Sequence, residues 1–357
     1  KISQWAKNWK VNFNQTKTEL MILTRERNPN ISPLYFDNSI LIPTESHKHL
    51  GVYLQNDCKW DSHIKSIVLK CRMLTSCLRS LKYKLSRKAL ENMYKAYILP
   101  HFDYADVLWD NCTQDSAQQL ETLHLDALRT ITGLVRGTSH QKIYSESGFC
   151  PLSERRRRHK IIMYHKIVNN LVPEYLTAIL PPLISDRNDY HLRRPLEREH
   201  LSWDLTRYRE SFFVSTTSIW NSLPMEIQNC RSLGELKHFL CKDDHCVPAF
   251  LYCGERLSQI IHCRLRQGMS DQNRDMVNRF LSDNPKCRCG FYSESASHYL
   301  LHCPRYQAIR ARTIGMLDIT QTDITTLLNG NLQLSISSNK LIFKAVQDYI
   351  METKRFS

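Results

Sequence analysis

Near its C-terminus the chain reads Cys287-Arg288-Cys289, then His298 after eight residues and Cys303 after four more. Three thiolates and one imidazole form a closed donor set for a tetrahedral zinc ion. The Cys-x-Cys opening is tighter than the common Cys-x2-Cys, and His302, beside Cys303, is an alternative ligand. With 13 Cys and 15 His in the chain, some such grouping can arise by chance. Arg288, Arg305, Arg310 and Arg312 surround the group, with Tyr292, Tyr299 and Tyr306 between them. Guanidiniums for phosphate and aromatic faces for unpaired bases suit single-stranded RNA or DNA. The plainer alternative is a zinc-stapled structural knob with a solvated basic rim.

Two further constellations carry charge. The run Glu154-Arg155-Arg156-Arg157-Arg158-His159-Lys160 is the densest in the chain. On a helix it points all round, docked by Ile161, Ile162, Tyr164 and Val168. It reads either as a solvated face or import signal, or as a helix tracking a nucleic-acid backbone through Arg155, Arg156, Arg157, Arg158 and Lys160. Asp103, Asp106 and Asp110 are spaced three and four apart, which puts them on one helix face. That favours three carboxylates facing water, with Tyr97 and Trp109 packing inward. A divalent-ion enzyme using Asp103, Asp106 and Asp110 is the rival reading.

The elements that position these residues change character along the chain. "TELMILTRE" alternates like a buried strand, "LYFDNSILI" predicts a hairpin turning at Asp37-Asn38-Ser39, and "HLGVYLQND" predicts a strand with Gly51 as a bulge inside it. From Asp61 the period becomes helical: Ile64, Ile67, Val68, Cys71, Leu74, Leu78 and Leu81 share a face, with Asp61 or Ser62 as cap. Further helices carry Leu90 to Tyr97, Leu120 to Ile131 ending near Gly133, and Ser153 onward, ending before Pro173. Residues 181–210 are charge-rich with poor periodicity. They predict the main boundary, before a helical C-terminal region. The fold class expected is mainly α, with a small α/β portion at the N-terminus.

Composition sets the limits. The 357 residues carry a formal net charge of +14, which favours phosphate-rich partners. Most of the 13 cysteines are scattered singly, and the count is odd, which predicts a reducing, intracellular setting in nucleus and cytoplasm. No apolar run approaches the ~18 residues of a membrane span. A start on Lys1 suggests that the natural beginning is missing.

Several blocks in order resemble non-LTR (LINE-type, jockey-like) retrotransposon reverse transcriptases. "WAKNWKVNFNQTKTELMIL", with Trp5, Trp9, Asn14, Lys17 and Thr18, looks like the segment after that family's catalytic Asp pair. "HKHLGVYLQNDCKWDSHI" resembles its primer-grip hairpin, "YKAYILPHFDYADVLW" its thumb, and "FFVSTTSIWNSLPMEIQNCRSLGELKHFL" its Trp-Asn-Ser-Leu-Pro block. The "Cys-x-Cys-Gly…His-x4-Cys-Pro" module is similar to the family's C-terminal zinc knuckle. Tyr104-Ala105-Asp106-Val107 copies three letters of the polymerase motif but lies downstream of the hairpin.

The resemblance implies a palm end and primer grip over 1–60, a helical thumb over 61–180, a linker over 181–210, and a helical region over 211–286. A zinc knuckle with its following helix over 287–316 and C-terminal helices over 317–357 complete it. It implies Lys17 near the phosphates of an incoming nucleotide, Gly51 close to the primer backbone, RNA and DNA as partners, and Zn²⁺ in the knuckle. Mg²⁺ belongs to the full-length polymerase only. The chain alone is then a nucleic-acid-binding fragment without the catalytic Asp-Asp pair. A host-recruited or decayed element serving as a protein-interaction scaffold is the alternative.

Overall fold

The computed structural model describes residues 2–14, 17–24, 26, 32–36, 39–187, 196–200, 206–242, 246–318 and 323–356. It is mostly helical, with a small β portion near the N-terminus. Helix α1 (Ile2–Asn8) is followed by two antiparallel hairpins: β1 (Leu34–Phe36) with β2 (Ser39–Leu41), and β3 (Ser46–His49) with β4 (Val52–Gln55). The first hairpin pairs as expected, Tyr35 opposite Ile40, while Asp37 and Asn38 of its turn lie outside the described residues. "TELMILTRE" is not a strand: Leu20 makes one isolated bridge to Pro43, and Leu20, Met21 and Ile22 are only half-buried. An alternating pattern needs a neighbouring ladder to become a strand, and none of the described strands pairs with it.

Gly51 is also corrected. It is not a bulge inside a strand but the second residue of the two-residue β3–β4 turn, where Leu50 and Gly51 both have positive φ, 45° and 86°. Two positive φ values are what a twisted type I′ hairpin turn requires. The Tyr104 hydroxyl donates to the Leu50 carbonyl at 2.5 Å, and its ring lies 3.4 Å from where a Gly51 side chain would begin. The "Tyr-Ala-Asp" tyrosine therefore pins a hairpin turn to the helical body.

The body begins with α2 (Asp61–Ser80), whose buried Ile64, Ile67, Val68, Cys71 and Leu78 follow the predicted face. Its cap is not Asp61 or Ser62; the Gln55 side chain of β4 accepts the Ser62 amide instead, at 2.9 Å. Then come α3 (Arg87–Met93), a π turn over Tyr94–Ile98, α4 (Leu99–Asp103) and α5 (Asp106–Trp109). Tyr97, expected inside, is exposed, whereas Trp109 is fully buried. The π turn shifts the register, so the 3.6-residue count that places Tyr97 inward fails there. Helix α6 (Gln114–Thr132) ends on Gly133 in the left-handed conformation, as predicted. Helices α7 (His140–Ser147) and α8 (Leu152–Val168) complete this part.

Beyond it run short α9 (Glu174–Thr177), α10 (Thr206–Arg209), α11 (Phe212–Asn221), α12 (Met225–Gln228) and α13 (Leu233–Leu240). Next are α14 (Arg256–Gln267), α15 (Asn273–Asn278), α16 (Gln307–Arg312), α17 (Ile324–Asn329) and α18 (Ile336–Thr353). Three apolar clusters hold these together. The first joins α2, α3, α6 and the start of α8; the second surrounds α18; the third joins Ile161 and Tyr164 of α8 to Trp220, Leu223, Leu236 and Leu240. In the Trp-Asn-Ser-Leu-Pro block, Trp220 packs on Tyr164 at 5.4 Å, and the Asn221 amide exchanges two hydrogen bonds with the Arg198 backbone.

Helix α14 lies between the first two clusters, giving Cys263 to one and Ile261 and Leu265 to the other. Its arginines are consumed internally. Arg256 donates to the carbonyls of Lys82, Thr130 and Ile131, and Arg264 donates to that of Gly133. These are the orphan acceptors at the end of α6 and just past α2. Arg266 joins Arg87 on the buried Glu146 carboxylate, each at 2.8 Å.

Burial alone would raise the Glu146 pKa; Arg266 and Arg87 overcome it and hold it at about 2, against an ordinary 4.5. A depressed folded-state pKa stabilises above the unfolded value and is lost as pH falls through the folded one. Stability should therefore drop by on the order of 3 kcal/mol between about pH 5 and pH 2. Urea midpoints followed over that range should show the slope in the wild type. In Glu146→Gln the slope should be shallower by that amount, the rest coming from other depressed carboxylates such as Glu91 and Glu294, on a protein already weakened by roughly 3–5 kcal/mol because two buried guanidiniums lose their partner.

Candidate metal centre and the basic helix

The sequence-predicted quartet comes together. Cys287, Cys289, His298 and Cys303 each offer one ligand atom, all within 4.8 Å of one another, and the four could hold a metal ion. The Cys287 and Cys303 sulfurs are 3.8 Å apart, and the Cys289 sulfur is 3.3 Å from His298 Nε2. Ligands about 2.0–2.3 Å from a tetrahedral ion stand roughly 3.4–3.8 Å from each other. His302, the alternative, is exposed and outside the quartet.

The backbone is arranged for thiolates. The amides of Cys289, Phe291 and Arg305 donate to the sulfurs of Cys287, Cys289 and Cys303, each two residues earlier in the chain. Gly290, with φ 95°, makes the turn that aims the first two of these amides, and its own N–H donates to the Cys287 carbonyl at 2.9 Å. The Phe291 amide chiefly lowers the Cys289 pKa, while burial pushes Cys287 up to about 12 and Cys303 upward. Thiolates at the buried pair thus need a cation to share the site, so this donor set fits a divalent metal.

A π turn over His298–His302 presents His298 to the cluster, and the His298 ring stacks on Phe291 at 4.3 Å with the planes parallel to 1°. The module is anchored by Glu294, which accepts from Arg355 at 2.7 Å through both oxygens and from the Asn273 amide at 2.9 Å. Phe291 and Glu294 were missed in the sequence. An aromatic two places after Cys289 was the available signal for Phe291; nothing local marked Glu294.

The residues grouped with the cluster as nucleic-acid contacts separate. Arg288 and Arg305 are exposed. Tyr306 is half-buried, edge-on to Tyr299 and Tyr349 in the second core, and Tyr299 is fully buried. Arg310 donates to the Leu300 and Cys303 carbonyls, and Arg312 pairs with Glu352. The exposed aromatic surface is the Phe291–Tyr292 pair, with centroids 4.4 Å apart. Lys17 is exposed, its amide donating to the Asn14 carbonyl at 3.1 Å.

The three aspartates are not a free solvated face, which corrects that reading: Asp106 is buried, and Asp103 and Asp110 are only partly exposed. The helix breaks at Tyr104-Ala105, Ala105 being left-handed at φ 52°, and the carboxylates turn toward α8. Arg155 grips Asp103 with two bonds of 2.9 and 2.6 Å. His159 Nδ1 lies 2.5 Å from Asp106, whose pKa is raised, mainly by burial. Asp110 takes Arg156 and Lys160, each at 2.8 Å, and Lys160 also donates to Ser215. Residues 155/159 and 156/160 are two adjacent i, i+4 pairs, so one face of α8 closes on α4 and α5.

Arg156 also lies over the Trp109 ring at 5.7 Å, and Arg158 bonds Glu154. Arg157, whose side chain is 42% exposed, reaches among the described residues only Glu154, at 3.5 Å. Asp103, Asp106 and His159 form a second group that could hold a metal ion, though each already has a hydrogen-bonded partner in α8 or α5; Asp110 is not in it.

Among curated proteins, the chain is similar to a retrovirus-related Pol polyprotein from a type-1 retrotransposable element, R1 4, of Nasonia vitripennis. They are 31% identical over 124 residues, covering 34% of this chain and 31% of that protein. The chain therefore spans about a third of the relative's length, and the match supports a non-LTR retrotransposon-related region. No family model matches. No solved structure matches.

Metal-replete protein should carry one firmly held divalent ion per chain that Cys303→Ser abolishes; elemental analysis finding none in the wild type would exclude the centre. Within the arginine run, Arg156→Ala should cost about 2–3 kcal/mol, because it strips partners from Asp110 and Trp109. Arg157→Ala should stay within about 0.5 kcal/mol. Equal losses in denaturant melts would contradict this division.

Proposed function

We propose that the chain is a segment of a retroelement reverse transcriptase. In this reading it runs from the end of the palm, through a primer-grip hairpin and helical thumb, to a zinc knuckle, and it binds nucleic acid. The observation that carries the reading is the 124-residue match to an R1 retroelement polyprotein. The order of parts supports it: a hairpin, then a helical body, then a Cys-Cys-His-Cys quartet, the order in which the resembling blocks occur in the sequence.

Zn²⁺ is the metal assigned to the quartet, since three thiolates and a neutral imidazole suit it best. Bound there, it supplies a cross-link and no chemistry. Mg²⁺ is assigned only to the full-length polymerase, whose copying of RNA into DNA belongs to the parent protein. The role left to this segment is to hold a sugar-phosphate backbone.

The side chains best suited to that are the half-buried Arg157 and the exposed Arg288, Arg305 and Lys17, with the Phe291–Tyr292 pair as a stacking surface for unpaired bases. Arg155, Arg156 and Lys160 orient the helix that carries Arg157. The Tyr104 bond to Leu50 sets the hairpin turn against the same body.

Binding of short RNA and DNA strands across a salt series tests the proposal. Affinity should fall steeply with salt. Replacing Arg157, Arg288 and Arg305 with Ala together should flatten the log–log slope by roughly one unit for each phosphate no longer neutralised. Binding that is absent, or whose slope the triple variant leaves unchanged, would refute it. A protein partner that co-purifies after nuclease treatment would instead favour a recruited scaffold.

A further inference from the structure

Most arginines here have a carboxylate or a carbonyl. One cluster does not balance. Where α2 ends beside the end of α6, Arg79, Lys82, Arg129 and Arg136 line a cavity of about 260 Å³ together with Thr130 and Asp126. Arg256 and Arg264 of α14 stand behind it, close enough to Lys82 to act on its charge.

Of the carboxylates that meet these six cations, Asp126 takes Arg129 at 2.9 Å and Asp271 reaches Arg264 only at 3.7 Å. Among the described residues, Arg79, Lys82 and Arg136 have no carboxylate within ion-pair distance. The two helix ends contribute about −0.5 charge each. Roughly three positive charges remain uncompensated around one small, polar cavity.

Two buried nitrogens also lack partners: Arg129 Nε, and NH1 of Arg256, a side chain only 9% exposed. Burial and the neighbouring Arg264, Arg256 and Arg79 push Lys82 down to about 8. Helix capping accounts for Arg256 and Arg264, whose other nitrogens bond the α6 carbonyls. It does not account for Arg79, Lys82 and Arg136. Like charges gathered without a counter-charge cost stability, and an anion of two or more charges would offset that cost.

We propose that the cavity between the ends of α2 and α6 is a phosphate-binding site, with Lys82, Arg79 and Arg136 as direct ligands and Arg129 and Arg256 as the supporting field. This does not rest on the retroelement reading. The phosphate can come from a nucleic-acid backbone or from a small phosphorylated molecule, and the charge and cavity size serve both.

The test is calorimetric titration of the full chain with inorganic pyrophosphate, repeated on Lys82→Met and on Lys82→Met with Arg136→Gln. The wild type should bind, and the double variant should bind roughly tenfold more weakly or worse. Lys82→Met should also melt higher than the wild type in the absence of ligand, because removing one like charge relieves repulsion; a merely structural lysine would give a lower melting point.

Wild-type protein that does not take up pyrophosphate at millimolar concentration would overturn the site. So would variants that melt lower and bind unchanged. Competition by a short oligothymidylate, lost in the double variant, would assign the phosphate to a nucleic-acid strand. Pyrophosphate binding without such competition would assign it to a small ligand, and the site would stand in both cases.

Discussion

The Glu146 carboxylate is the contact on which the arrangement of helices depends. It sits at the end of α7, fully buried, and receives Arg87 from α3 and Arg266 and Gln267 from α14, while its own carbonyl accepts Arg87 again. A carboxylate taken out of water alone would cost several kcal/mol. Here both oxygens are filled by charged donors, so the group is tolerable only with α3, α7 and α14 all in place. That makes it a specification of geometry more than a source of stability. Because α14 also feeds the second core through Ile261 and Leu265, this one contact ties the C-terminal helices to the first helical body.

The same logic repeats at α8 and changes how the net charge of +14 should be understood. A basic composition suggests a basic surface, yet Arg155, Arg156, Lys160, Arg256, Arg264, Arg266, Arg310 and Arg355 are all bonded to carboxylates or carbonyls of the fold. Arginine suits this use because it remains charged when buried and its fork fits paired acceptors. The electrostatic footprint facing solvent is therefore smaller than the charge count implies. Among the described residues it concentrates where no ion pair forms: at Arg288 and Arg305 near the candidate metal centre, and at the end of α2.

Helical periods were the most legible part of the sequence, because α2 and α6 are long and each buries one continuous stripe. The metal quartet was legible from spacing, since a tetrahedral site draws its ligands from short, fixed separations. What was not legible depended on a break or on a distant partner. The left-handed Ala105 cannot be seen in "FDYADV", and without it the three aspartates count as one helical face. The turn at Leu50-Gly51 was mistaken for a bulge because a leucine at positive φ is uncommon. Glu294 carries no local mark in the sequence because its partner Arg355 lies far along the chain.

The candidate metal centre and the second core are two sides of one short turn. Within His298–His302, His298 points to the cysteines while Tyr299 and Leu300 are buried against α18, and the Tyr349 hydroxyl donates to the Tyr299 carbonyl. A turn so placed is held from two directions. The core side rests on burial that needs no ion, so α18 and its contacts do not require the metal. On the cysteine side, burial raises the Cys287 and Cys303 thiol pKa values, so thiolates there would favour a shared cation. An ion held by the quartet would act mainly on the Cys287–Phe291 loop and the His298 ring stacked on it. That loop and the residue after it carry the exposed Arg288, Phe291 and Tyr292, so a bound ion would act on the shape of this basic and aromatic surface.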